Sequence, residues 1–146
     1  MDEQLPTQQE KESRLVKILL AEDDPSIGIV AKLSLEKIGG HVVTLVTDGA
    51  QAIVRGLEEN FDLLLLDSMM PKKDGLTACQ ELLASGFETP IIFLSAKSSE
   101  MDIKEFLRAG AIGSIQKPFD PKNLHQKIDE ILIRHKDHQE RERRTA

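Results

Sequence analysis

From about residue 15 onward, short aliphatic runs alternate with stretches whose apolar positions recur every three or four residues. The runs are VKILLA (16–21), HVVTLV (41–46), FDLLLLD (61–67), IIFLSA (91–96) and GSIQ (113–116). Most are continuous rather than alternating, the pattern of strands covered on both faces. Between the first two runs, Ile27, Val30, Ala31, Leu33, Leu35 and Ile38 keep helical spacing. Pro25 suits the first turn of that helix, and Gly39 and Gly40 supply its stop. TDGAQAIVRGLEE, DGLTACQELLAS, SSEMDIKEFLRAG and a segment from about Pro121 to Arg134 predict four more helices. Asp24, Asp48 and Asp74 stand where helix caps are needed and are read as caps rather than metal ligands.

Strand then helix, repeated at roughly 20 to 25 residue intervals, predicts an α/β fold with a parallel five-stranded sheet and helices on both faces. Right-handed crossovers make it a doubly wound, three-layer (βα)5 sandwich. In such sheets function gathers at the carboxyl ends of the strands, where strand order reverses.

Flanking this unit, residues 1–14 read as a flexible polar leader and 135–146 as a charged C-terminal extension, leaving 15–134 as the folded domain. The extension loses apolar positions after Ile133, so it is read as a solvated helical continuation or a frayed end.

Composition narrows the picture. With no Trp or Tyr and five Phe, the core has to be aliphatic. A net charge of −6 excludes direct nucleic-acid binding as the default, because phosphate contacts need a basic surface. The single cysteine, Cys79, precludes an internal disulfide, fits a reducing compartment and is read as a packing residue. Neither a membrane span nor a signal-peptide segment is visible, so a cytoplasmic protein is expected. His41, His125, His135 and His138 show no metal-ligand spacing and are read as surface groups.

The strand ends carry the chemistry. FDLLLLDSMMPKKDG drives an aliphatic run into an ionisable group, Asp67, and breaks it with Pro71. A carboxylate in such a place is costly unless paired or bound. The first strand ends in Glu22, Asp23 and Asp24, the fourth in Ser95 and the fifth in Lys117. Three carboxylates on one rim repel unless a divalent cation or a proton intervenes, and an all-oxygen set suits Mg2+ better than zinc. A carboxylate cluster, a hydroxyl and an ammonium around one cleft can hold a phosphoryl group. No GxxxxGK[ST] loop is present, so the phosphoryl is expected on the protein, as an acyl phosphate on Asp67.

The segments KILLAEDDP, DLLLLDSMMPKKDGL, PIIFLSAK, RAGA and KPF, in this order, resemble the receiver domain of two-component response regulators over about residues 15–134. The resemblance implies the flavodoxin-like form of the fold. It also implies that Asp67 takes a phosphoryl group from a sensor histidine kinase or a histidine phosphotransfer protein. Glu22, Asp23, Asp67 and the backbone carbonyl of Met69 would hold Mg2+. Ser95 would bond a phosphoryl oxygen, Lys117 would pair with it, and Pro118 matches a frequent cis peptide of the family. Output would pass by protein contact to an effector or fused output domain, or through a homodimer.

The sequence departs from that pattern in two places. Ser114 replaces the aromatic switch residue three positions before the lysine, and Ile112 and Gly113 replace acidic residues. The resemblance implies that the positions two after Asp67 and two after Ser95 line the path of attacking water; here they are Met69 and Lys97, so slow self-dephosphorylation is expected. Two other functions stay open at this level. One is a degenerate receiver acting as an interaction scaffold. The other is a phosphatase of the haloacid dehalogenase type, which needs an Asp where this chain has Met69.

Overall fold

In the computed structural model, which describes residues 16–145, the strands are β1 (Lys17–Ala21), β2 (Val42–Val46), β3 (Leu63–Asp67), β4 (Ile91–Ser95) and β5 (Gly113–Gln116). They form one parallel sheet in the order β2-β1-β3-β4-β5. The helices are α1 (Pro25–Lys37), α2 (Gly49–Glu58), α3 (Gly75–Ala84), α4 (Glu100–Arg108) and α5 (Leu124–Thr145). The leader expected over residues 1–14 lies outside the described residues.

Alternate residues of the same strand feed two different cores. Leu19, Leu64, Leu66 and Phe93 pack with Ala52 of α2, Ala78 and Leu82 of α3, and Phe106 of α4. Ile18, Leu20, Leu65 and Ile92 pack with Ala31 and Leu35 of α1 and with Leu124 and Ile128 of α5. Strands buried on both sides thus need apolar residues at every position, and all five residues of β3, LLLLD, are buried. Asp67 is the polar member of that run.

The caps form as the sequence implies. Asp24 accepts hydrogen bonds from the Ser26 and Ile27 N–H groups, Asp48 from Gln51 and Asp74 from Thr77. Cys79 packs in the interior, where burial pushes its thiol up to about 11.

Two expectations are corrected. The final helix starts at Leu124, not Pro121, because the Asp120 carboxylate accepts the Lys122 N–H and closes a turn first. Past Arg134 it continues to Thr145 as exposed helix, the first of the two readings of that extension. The histidines are not all surface groups: His41 is 7% exposed and packs against His125. After the Gly39–Gly40 turn the His41 N–H donates to the Leu35 carbonyl of α1 and its ring meets His125 of α5, a placement with no signature in local spacing.

Candidate functional site

The strand order puts β1 beside β3 and β3 beside β4, so the residues following them converge on one rim. The registers align these ends: Ala21 lies opposite Val46 and Leu66, and Asp67 opposite Leu94. Beyond β1 the chain places Glu22 inward, 1% exposed, and Asp23 outward. Asp67 ends β3, and the loop after it closes through the Gly75 N–H, which donates to the Ser68 carbonyl at 3.0 Å. A Cβ at position 75 would run into the Asp67 carbonyl, so only glycine allows α3 to start this close to the rim.

Carboxylate oxygens of Glu22, Asp23 and Asp67 lie within 4.8 Å of one another. Lys117, just after β5, reaches over them, with Nζ 2.7 Å from Glu22 Oε1 and 3.3 Å from Asp67 Oδ2. Its peptide bond to Pro118 is cis. Burial works against the Lys117 ammonium, but the Glu22 hydrogen bond and the charges of Asp67 and Glu22 outweigh it and raise its pKa. Asp67 is pushed up to about 7 by burial, then by its hydrogen bond and charge contact with Glu22, against the lowering pull of the Met69 N–H and Lys117. One ammonium does not balance three acidic groups.

That surplus of negative charge and the oxygen-only donor set fit a divalent cation such as Mg2+. A cleft of about 260 Å³ opens here, lined by Glu22, Asp23, Asp67, Met69, Lys97 and Lys117 among others. Met69 lies on it, 62% exposed, and its N–H donates to Asp67 Oδ1 at 3.2 Å.

Ser95 stands apart from the other expected site residues. It is fully buried, with Oγ 2.6 Å from Ser68 Oγ and accepting the Lys97 N–H at 3.0 Å. Its hydroxyl is therefore turned to Ser68, which itself lines the cleft. Sequence reasoning missed Ser68; its one signal was adjacency to Asp67.

Comparisons with known proteins point the same way as the geometry. A family model described as "Response regulator receiver domain" matches residues 18–129. The transcriptional regulatory protein RprY of Bacteroides fragilis is 41% identical over 119 residues, covering 82% of this chain and 50% of RprY. The alkaline phosphatase synthesis transcriptional regulatory protein PhoP of Bacillus subtilis is 36% identical, covering 81% and 49%. The chain thus spans about half the length of these curated relatives. Among solved structures, the Francisella response regulator 1452 receiver domain superposes with a TM-score of 0.75 at 31% identity, covering 82% of this chain and 98% of that one. The chemotaxis response regulator CheY4 of Vibrio cholerae gives 0.75 at 26% identity, covering 80% and 98%.

Proposed function

The chain belongs to the response regulator receiver domain family of two-component signalling, and on that premise we propose that Asp67 is its phosphoacceptor. A carboxylate oxygen of Asp67 attacks the phosphorus of a phosphohistidine on a sensor kinase or phosphotransfer protein. The O–P bond forms as the P–N bond breaks, and the donor imidazole leaves with the electron pair.

The chain's own groups divide the work. The Met69 N–H orients the Asp67 carboxylate through Oδ1. Lys117, held by Glu22, is placed to neutralise a phosphoryl oxygen on Asp67. Ser95 donates to another oxygen once it releases Ser68. Glu22, Asp23 and Asp67 would hold Mg2+, with the Met69 carbonyl as a further oxygen; when bound, the ion supplies charge neutralisation at the phosphoryl group. No helix among the described residues is long and apolar enough to cross a membrane.

The observation that carries this reading is Lys117 Nζ bridging Glu22 and Asp67 above a three-carboxylate cluster. The phosphatase alternative is not favoured, since Met69 offers no acid or base two residues after the nucleophile. Incubation with a small acyl phosphate and Mg2+, followed by intact mass, tests the proposal. One stable phosphoryl adduct, lost in Asp67→Asn, is expected. No adduct leaves a scaffold, and rapid turnover of the donor a phosphatase.

Signalling output is proposed to leave by protein contact, either to an effector or between two copies. The described residues 135–145 would serve as a helical extension of the domain rather than as part of its core.

A further inference from the structure

Two imidazoles meet at the amino end of β2, the opposite end of that strand from the acidic cleft. His41, immediately before β2, places Nε2 2.8 Å from Nδ1 of His125 in the first turn of α5. On the far side of the His125 ring, Nε2 lies 3.2 Å from Asp129 Oδ2, one helical turn onward. Ligand atoms from all three residues fall within 4.8 Å of one another. His41 is almost fully buried and its Nδ1 meets no hydrogen-bond partner, whereas His125 and Asp129 are half-buried and open to water.

His41 Nε2 and His125 Nδ1 thus face a single gap, with Asp129 beside it. The loop is also built for close approach: a Cβ on Gly39 would stand 2.6 Å from the His41 ring and 2.8 Å from His125 Nδ1.

We propose that His41, His125 and Asp129 form a second metal site, for a borderline transition ion of the Zn2+ class rather than Mg2+. Imidazole donors select such ions, and at about 2.1 Å per Zn–N bond two nitrogens on a tetrahedral ion sit roughly 3.4 Å apart. The observed 2.8 Å therefore needs only a small opening of the pair. Both imidazoles have to present lone pairs to the gap. An imidazole binds such an ion in its neutral form. The proton between the rings then moves to His41 Nδ1, the nitrogen with no partner. Asp129 either completes the set or holds the His125 ring from Nε2 as an outer carboxylate. Water fills the remaining positions on the exposed side.

Such an ion would fasten the root of α5 to the loop before β2. The site shares no residue with the acidic rim, so the two are separable by mutation.

The test is a Zn2+ titration of the full chain by calorimetry, with Mg2+ present in excess. One ion with a micromolar or tighter constant is expected, along with a Zn2+-dependent rise in the thermal midpoint. His125→Ala, at a half-exposed position, should keep the fold, weaken binding at least tenfold and abolish that rise. Asp67→Asn and His138→Ala should bind as the unaltered chain does. Equal affinity in His125→Ala overturns the proposal, and so does loss of the ion in Asp67→Asn or His138→Ala with retention in His125→Ala.

Discussion

The hydroxyl oxygens of Ser68 and Ser95 lie 2.6 Å apart in the interior beside Asp67. On the proposed function, a phosphoryl oxygen reaching Ser95 would have to displace this neighbour. Ser68→Ala removes that competitor, and one hydrogen bond is worth about 1 kcal/mol net. Affinity for beryllofluoride, a phosphoryl mimic, should rise roughly three- to tenfold by the same arithmetic. Unchanged or weaker affinity in Ser68→Ala would show that Ser68 does not compete for Ser95.

Asp67 gives the metal-free protein a distinct pH signature. Its folded pKa is raised from 3.8 to about 7, so the native state holds the proton more tightly than the unfolded chain. The stabilisation from this group is complete below the ordinary carboxylate range and fades as pH rises through about 7. In chelator, urea unfolding at pH 5 and pH 8 should show a larger loss for the unaltered chain than for Asp67→Asn. Parallel losses in the two proteins would rule the effect out. Added Mg2+ should narrow the gap at pH 8.

Lys117 is 13% exposed at its side chain and is shared by two buried carboxylates. Removing it in Lys117→Ala strands both, a change expected to cost about 3 kcal/mol at neutral pH. Denaturant midpoints measure this directly. A loss under about 1 kcal/mol, the level of an exposed pair, would mean that water already screens the contact.

Met69 lies at the lip of the cleft with an apolar side chain. On the proposed function, water approaching a phosphoryl group on Asp67 would find nothing there to orient it. Met69→Asn supplies a hydrogen-bonding amide and should shorten the life of the phosphorylated form by roughly tenfold, about 1.4 kcal/mol of barrier. Decay followed by phosphate-affinity gel checks it, and an unaltered lifetime would refute the assignment.

Element order and the gathering of Glu22, Asp23, Asp67 and Lys117 at the strand ends were legible because both are written locally. LLLLD, short and bounded by turn residues, reads as a strand covered on two faces, and an Asp before each apolar repeat announces the caps at 24, 48 and 74. The last helix was harder at both ends. Its start is displaced by the Asp120 turn, and its second half has no apolar periodicity; pairs such as His138–Glu142 at 3.0 Å are what its surface offers instead. Ser68 and the His41–His125 pair were illegible for another reason. Their contacts join residues 27 and 84 positions apart, and nothing in either neighbourhood marks the partner.

α5 is anchored on one side only. Leu124, Ile128, Ile131 and Leu132 seat its first half on the sheet, while from Ile133 to Thr145 every residue except the half-buried His135 is exposed. At 1.5 Å per residue the free portion is roughly 19 Å long. By that length alone, a tilt of about 10° at the seated half would carry Thr145 about 3 Å.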